Sequence, residues 1–596
     1  MSNIGSYEKR LKDFDWSIAE KELNYATGGT INIGWYCSDR ICEMGKADKP
    51  ALIWEGLGGK EKQYTFNDVR VKSNTIASFL QNLGIKNEDR VCLFMDKVPE
   101  LYIGFVGILK LGAIAQPLFS AFGDESLHVR LDNAQTTAII TQRKHVSKIR
   151  KILDQMPYLK HIILVDYDGS KPLREREVAF NMEDAEQVEK FKSFPTKAES
   201  PSVLHYTSGT TGQPKGVKHV HYSLISQYLT TKWVLDLQEN DIYWCTADPG
   251  WVTGTSYGII GPWSMGVTLC VLDTGFSAES WYKFIEKRKV TMWYSAPTAI
   301  RSLMKAGEDL IKQHNLSSLR HLASVGEPLN AEAVIWSEKV FGKAFLDTYW
   351  QTETGGFLCS TVPGIKPMKP GSCGPGVPGI HPIIFDEDGN TLERGVGKAG
   401  NICIQNPWPG MFQTIWGDRD RFVDAYFSRY NKDPESKDWR DWPYLTGDAA
   451  VEAPDGYFRV LGRIDDVLNV SGHRLGTKEI ESASLVNQAV AEAAVVPVKD
   501  DIKGHVPDLY IALKPGIEIT EELENSISDA VCEEIGKIAK PRKVWIVNDM
   551  PKTRSGKIMR RVLASISNDK DVGDITTLVN PEIVTEIKNQ YKKVMK

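Results

Sequence analysis

Tyr206-Thr-Ser-Gly-Thr-Thr-Gly-Gln-Pro-Lys-Gly216 is the stretch from which the rest of the chain is read. Its eleven residues hold three glycines, four Ser/Thr hydroxyls and one lysine. Backbone N–H groups unhindered by side chains, with hydroxyls beside them, can close around phosphate oxygens while the lysine adds charge. The common nucleotide loop reads G-x-x-x-x-G-K-[ST]. Here Pro214 precedes Lys215, and Gly216 and Val217 stand where Ser or Thr would hold magnesium. The segment is thus a phosphate loop of another kind or, taken alone, a flexible Ser/Thr/Gly connector.

Its flanks favour a loop at a sheet edge. A helix over 66–83 ended by Gly84, a strand at 90–95, and a helix opened by Pro99 and closed at Gly112 follow the expected punctuation. Strands at 113–119, 137–141, 161–165, 267–272, 291–295 and 344–347 alternate with helices at 277–289, 299–313 and 331–341. Such alternation predicts an α/β fold with parallel sheets covered by helices, whose ligands bind at the carboxyl ends of the strands. Six prolines between 361 and 382 exclude a helix there. Short strands and hairpins follow at 383–385, 400–405 and 457–461. Beyond them a helix at 478–486, strands at 493–498 and 509–513, a helix at 520–535 and a strand at 544–547 make a compact α+β unit. The expected division is a large N-terminal domain over 1–464, with a β-rich subdomain at 374–464, and a small mobile C-terminal domain over 465–596. The first fifty residues lack periodicity and read as an extended segment, reaching to about residue 60, packed on the main body.

Bulk properties narrow the partners. A chain of 596 residues exceeds a single core, and a formal charge of −5 gives no basic field for nucleic acid or an acidic membrane. The N-terminus lacks the apolar core of a secretory signal, and Lys110 and Gln116 interrupt the longest apolar run, Leu101 to Phe119. Nine scattered cysteines without a C-x-x-C pair read as reduced thiols of a cytoplasmic protein.

Four further segments carry chemistry. In Trp244-Cys-Thr-Ala-Asp-Pro-Gly-Trp-Val-Thr-Gly-Thr-Ser-Tyr257, Gly250 and Gly254 bracket Val252 and Thr253, a wall of small side chains for a ligand or a plain core strand and turn. Ser324-Val-Gly-Glu-Pro328 is a strand end and turn. In Asp347-Thr-Tyr-Trp-Gln-Thr-Glu-Thr-Gly-Gly356, Tyr349 can cover an adenine face, Thr352 can reach a phosphate and the hard oxygen of Glu353 can hold magnesium. Trp350 can floor a pocket for a small acyl group, or simply pack in a core. The last segment joins Tyr444-Leu-Thr-Gly-Asp448 to 462–474 and to Pro551–Arg561. Asp448 can bind two ribose hydroxyls, Arg463 and Arg474 can neutralise phosphates, and a Ser-Gly turn exposes Lys557. The five basic residues between 552 and 561 would otherwise mark a nucleic-acid patch, against the acidic balance of the chain.

The segments YTSGTTGQPKGV, DPGWVTGTSY, SVGEP, DTYWQTETGG, YLTGD, GRIDDVLNVSGHRLGTKEIE and PKTRSGKIMRRVL, in order from about Asn32 to the C-terminus, resemble those of the adenylate-forming enzymes, most closely the AMP-forming acetyl-CoA synthetases. The resemblance implies two steps in one site. A carboxylate attacks the α-phosphate of Mg·ATP to give acyl-adenylate and pyrophosphate, and the thiolate of coenzyme A then takes the acyl group and releases AMP. It implies Lys557 as the catalytic lysine. Thr207, Ser208, Gly209, Thr210, Thr211, Gly212 and Lys215 would hold the β- and γ-phosphates. Gly326, Glu327, Pro328 and Asp347, Thr348, Tyr349, Trp350, Gln351 and Thr352 would meet adenine and α-phosphate, Asp448 the ribose, with Arg463 and Arg474 beside them. Val252, Thr253, Val325 and Trp350 match the acyl pocket of acetate-specific relatives. Ser471, Gly472 and His473, with Thr253, would pass coenzyme A, after a rotation about a hinge at Asp465 that withdraws Lys557.

Acetate leads, with propionate and 3-hydroxypropionate as alternatives. A non-catalytic acyl-nucleotide sensor and a carrier-loading adenylation module are the rival classes. ATP, a short carboxylate and CoA are the expected small-molecule partners, with no nucleic acid and no membrane. Lysine-acylating and deacylating enzymes would act at Lys557, and the oligomeric state stays open, a homo-oligomer among the options. The sequence departs from the family pattern at Cys532, at 141–148 and at Asn487, which leaves the contacts to the CoA 3′-phosphate and a second metal open.

Overall fold

The computed structural model describes residues 2–207, 214–431, 433, 435–464, 468–470, 473–500, 504–553, 557–575 and 578–595, with backbone alone at Asn469, His473, Arg474 and Glu479. Four sheets organise these residues. The first has eight strands in the order Cys359–Ser360, Phe345–Tyr349, His321–Val325, Met292–Ser295, Ile242–Cys245, Thr268–Asp273, Pro50–Gly56, Glu61–Thr65. Its inner strands run parallel and its two edges antiparallel. The second, also of eight, runs Thr414–Ile415, Lys215–Val220, Pro201–Thr207, Ile114–Pro117, Arg90–Phe94, Ala138–Thr141, His161–Leu164, Glu177–Ala179, parallel from Pro201–Thr207 onward. A third, antiparallel sheet joins Pro382–Phe385, Ala399–Ile404, Tyr444–Glu452 and Phe458–Arg463. The fourth holds His473–Leu475, Leu468–Val470, Gly504–Leu513 and Val490–Asp500, with Lys543–Ile546 parallel to Gly504–Leu513.

Parallel strands are covered on both faces, which is why Ala138–Thr141 and Ile114–Pro117 are buried along their whole length. Helix Phe66–Asn82 starts in a capping box: Asp68 N–H donates to Thr65 Oγ1 (3.1 Å) and Thr65 N–H to the Asp68 carboxylate (2.8 Å). Helix Pro99–Lys110 carries proline in its first turn. Lys110, which interrupts the apolar run, is fully buried and paired with Asp39 (2.6 Å) and Asn74 (2.7 Å). No described helix is long and apolar enough to cross a membrane.

The structure departs from the sequence expectations at several elements. The N-terminal segment is not extended: it folds into the short helices Tyr7–Lys12, Ser17–Glu22 and Ile33–Tyr36, the first and third capped by side chains, Ser6 accepting the Lys9 N–H and Asn32 the Trp35 N–H. Pro50–Gly56 is a full member of the first sheet. The expected helix at 299–313 breaks at Gly307 (φ +91°) into Pro297–Ala306 and Glu308–Ile311. Helices Arg419–Tyr426, Arg560–Ser567 and Glu582–Met595 and the nine-residue strand Tyr444–Glu452 had no counterpart in the sequence reading. The expected hinge, Asp465, lies outside the described residues.

Candidate active site

Residues from distant segments meet at the carboxyl ends of the first sheet. Strands Met292–Ser295, His321–Val325 and Phe345–Tyr349 lie side by side, with Ser295 opposite Ser324 and Val325 opposite Thr348. Successive side chains on a strand point to opposite faces, and the end of Phe345–Tyr349 uses this. Tyr349 Oη donates to Asp448 Oδ2 (2.7 Å), toward the third sheet. Trp350, the next residue, turns the other way and is buried with Val252, Val325, Tyr257, Tyr294 and Phe357.

The surroundings of Trp350 are aromatic and tightly held. Tyr257 meets the indole edge-on (5.0 Å, 88°) and stacks on Phe357 (3.9 Å, 6°). The indole Nε1 donates to Tyr294 Oη (3.2 Å), which is 2.8 Å from Thr348 Oγ1. Val252 and Thr253 lie on the short helix Val252–Thr255. The glycines around them answer to close backbone packing. A Cβ on Gly254 would sit 2.4 Å from the Asp248 carbonyl, and one on Gly250 2.5 Å from Phe119 N.

On the other side, Asp448 is a hub. Its Oδ2 also accepts from Gln351 Nε2 (2.6 Å), and its Oδ1 faces Arg463 Nη1 at 3.3 Å, the cross-strand partner of Asp448. Gln351 is itself held by the Thr446 carbonyl (2.8 Å) and by the Tyr444 hydroxyl, which donates to it (2.9 Å). Burial raises the Asp448 carboxyl above its ordinary value, against the opposing pull of Arg463, Tyr349 and Gln351.

A third cluster sits at the foot of the glycine-rich loop. Lys215 Nζ donates to Tyr426 Oη (2.7 Å), Tyr426 Oη donates to Glu353 Oε1 (2.8 Å), and the ammonium lies 3.8 Å from that carboxylate. Burial lowers the Lys215 ammonium, which Glu353 partly offsets. Thr352 offers its carbonyl to His219 Nε2 (2.8 Å). Thr207 ends its strand with a buried Oγ1 that has no partner among the described residues. Ser208, Gly209, Thr210, Thr211 and Gly212 lie outside the described residues.

Two further carboxylates, Glu327 and Asp347, belong to these strands and their ends. Gly326 takes φ +102°, a backbone open chiefly to glycine. Beyond it Glu327 is pushed up by burial but held down to about 2 by the charges of Lys478, Arg301 and Arg560, with Arg301 Nη2 at 3.2 Å. Pro328 follows, half-buried. Asp347 Oδ2 accepts the Leu329 N–H (3.1 Å), while its Oδ1 is buried without a partner among the described residues. Burial raises this carboxyl to about 7. The native state therefore keeps a proton that the unfolded chain releases near pH 4, so between about pH 4 and 7 stability falls as pH rises. Asp347→Asn, which does not titrate, gains melting temperature relative to the parent across that interval. Thermal melts of nucleotide-free protein at four pH values check this, and a difference independent of pH contradicts it.

Lys557 makes no hydrogen bond or ion pair to these clusters. It is exposed on a hairpin where Lys552 bridges Ile558. Its backbone N–H donates to Thr553 Oγ1 (3.2 Å) and its carbonyl accepts from Thr553 N–H (2.9 Å). Its ammonium makes no ion pair or hydrogen bond to a described residue. His473 and Arg474 lie on the strand His473–Leu475, while Ser471 and Gly472 lie outside the described residues. Sequence reasoning missed Tyr257 and Tyr294 as the partners of Trp350 and Tyr426 as the bridge between Lys215 and Glu353.

Similarity to known proteins follows the same outline. The profile of the AMP-binding enzyme family matches residues 40–416, and that of the AMP-binding enzyme C-terminal domain matches 479–557. The acetyl-coenzyme A synthetase of Bacillus subtilis (strain 168) is 40% identical over 583 residues, covering 97% of each chain. That of Pyrobaculum arsenaticum is 40% identical over 598 residues, covering 95% of this chain and 88% of its own. Among solved structures, an acyl-CoA synthetase of Brucella canis superposes with a TM-score of 0.70 at 29% identity, covering 94% of this chain and 99% of its own. The anthranilate CoA ligase AuaEII in complex with anthranoyl-AMP superposes at 0.78 and 27% identity, covering 90% and 98%.

Proposed function

Since the chain belongs to the AMP-binding enzyme family, we propose that it is an AMP-forming acetate–CoA ligase. In the first step an acetate oxygen bonds to the α-phosphorus of Mg·ATP as the bond to the β-phosphate oxygen breaks, giving acetyl-AMP and pyrophosphate. In the second the CoA thiolate bonds to the acyl carbon, and AMP leaves with the carboxyl oxygen. The observation that carries this reading is the placement of Tyr349 and Trp350, consecutive residues of which one meets a carboxylate, Asp448, and the other an aromatic cluster with Tyr257 and Tyr294. A ribose on Asp448 and an acid against Trp350 then lie one peptide apart, which brings carboxylate and α-phosphate together before chemistry begins.

Each cluster has a task in this scheme. A ribose diol replaces Tyr349 or Gln351 on Asp448, and Arg463 balances the carboxylate's charge. Lys215 exchanges Tyr426 and Glu353 for phosphate oxygens, with the loop from Thr207 to Gly212 around them. Glu353, freed of the lysine, would be the hard oxygen donor for the magnesium that ATP brings. Adenine lies by Gly326, Glu327, Pro328 and Asp347, and Thr352 faces the α-phosphate, while the Thr348 hydroxyl is turned to the Ser324 carbonyl. The unit from Asp465 onward turns between two states, one presenting Lys557 and the other Ser471, Gly472 and His473 for CoA. Neutralisation of the exposed Lys557 ammonium by a lysine-acylating enzyme would switch off the first step alone.

Pyrophosphate release across short carboxylates, with and without CoA, tests this reading. Acetate gives the largest kcat/KM, propionate and 3-hydroxypropionate follow, and AMP accumulates only when CoA is present. Nucleotide binding without pyrophosphate from any acid would make the protein a sensor instead.

A further inference from the structure

Trp350 is the residue on which acid size turns, but a large indole limits a pocket sharply only if it is held in one orientation. The structure shows what holds it. Trp350 Nε1 is 3.2 Å from Tyr294 Oη, Tyr294 Oη is 2.8 Å from Thr348 Oγ1, and Thr348 Oγ1 is 2.7 Å from the Ser324 carbonyl. These bonds admit one direction. An indole N–H only donates, and the Ser324 carbonyl only accepts, so the Thr348 hydrogen goes to Ser324. Thr348 must then accept from Tyr294, and Tyr294, its own hydrogen spent, accepts from Trp350. Every proton in the chain is assigned and none is left to rotate.

The chain lies in a dry place. Tyr294 is fully buried, Thr348 is 3% exposed and Trp350 9%. Its three anchors belong to neighbouring parallel strands, with Ser295 opposite Ser324 and Val325 opposite Thr348, so the string runs across the rim of the sheet and shares its rigidity. Tyr257 completes the frame, edge-on to both Trp350 (5.0 Å, 88°) and Tyr294 (6.3 Å, 90°). A buried phenol lies well above its ordinary value here, so Tyr294 keeps its proton at any working pH. Without the Tyr294 hydroxyl the indole N–H has no acceptor in this string, and the ring gains by turning to find one, at the expense of the wall it makes.

We infer that Tyr294 is a positioning residue for acid selectivity: through the string Trp350, Tyr294, Thr348, Ser324 it fixes the indole that closes the acyl pocket. The inference rests on the proposed short-acid specificity, and two readouts keep their failures apart. The first is a double-mutant cycle on pyrophosphate release with acetate, propionate and butyrate. Tyr294→Phe lowers the preference for acetate over butyrate by about tenfold, with the loss in the acids' KM rather than in kcat. In a Trp350→Gly background the same substitution changes that preference less than about twofold, because the group it acts through is gone. Thr348→Val, which breaks the next link, reproduces the Tyr294→Phe effect, and Thr348→Ser, which keeps the hydroxyl, restores the parent preference. The Thr348 pair decides if Tyr294→Phe fails to fold.

The second readout needs no turnover. In ¹⁵N-indole spectra the Trp350 N–H, assigned by its disappearance in Trp350→Phe, exchanges slowly in the parent and shifts upfield with faster exchange in Tyr294→Phe. An unchanged indole signal overturns the inference even if no acid is a substrate. An acid preference unaltered by Tyr294→Phe, or altered equally with and without Trp350, overturns it too.

Discussion

Lys557→Ala stops acetate-dependent pyrophosphate release, by about 10²–10³-fold in kcat, while thioester formation from supplied acetyl-AMP and CoA proceeds near the parent rate. The first step sets a carboxylate against a polyphosphate, so negative charge on the α-phosphate must be met by a cation that arrives with the reactants. Lys215 is already held by Tyr426 and Glu353, and the proposed scheme assigns it to the departing phosphates. Lys557 is spared such commitments: its ammonium is exposed and has no partner among the described residues. A charge held this loosely can be delivered to one step and withdrawn before the next, when a bulky thiol must enter. Separate assays of the two half-reactions decide the matter, and equal loss in both removes Lys557 from the chemistry of the first.

Trp350→Gly converts the acid preference. Deleting the indole removes the partner of Tyr257 and Tyr294 and opens the pocket toward Phe357. Because one methylene in an apolar pocket is worth about 1–3 kcal/mol, butyrate and valerate gain kcat/KM by tens to hundreds of fold while acetate, now loosely held, loses about tenfold or more. The change also costs about 3–5 kcal/mol of stability, the usual toll of emptying a buried aromatic site. Melting temperature therefore falls, and assays belong well below it. Kinetics across acetate to valerate check the prediction, and a variant confined to acetate and propionate would show that another residue floors the pocket.

Much of the fold was legible because the inner strands bury both faces and so read as apolar runs between glycine and proline punctuation. Ala138–Thr141 and Met292–Ser295 are examples. The clusters were legible only in part. Asp448 and Arg463 were identified singly, and the register that pairs them belongs to a hairpin whose first strand was not foreseen. Tyr426 reaches Lys215 across 211 positions, and Tyr294 reaches Trp350 across 56. Neither contact leaves a local period, since hydrogen bonds between distant side chains follow from how strands are ordered in space. The N-terminal helices escaped for another reason. They are four to six residues long, too short for a periodic signal, and owe their form to what they pack against.

The opposed directions of Tyr349 and Trp350 also constrain how this protein can acquire a new substrate. One residue inserted into or removed from Phe345–Tyr349 would exchange the two faces, sending the Trp350 ring toward Asp448 and the Tyr349 ring toward Tyr257 and Tyr294. Both functions would be lost at once, with no viable intermediate. Chain-length change is therefore closed as a route to new substrates at this strand, and substitution at a fixed frame, at Trp350 or at the tyrosine behind it, is the path left open.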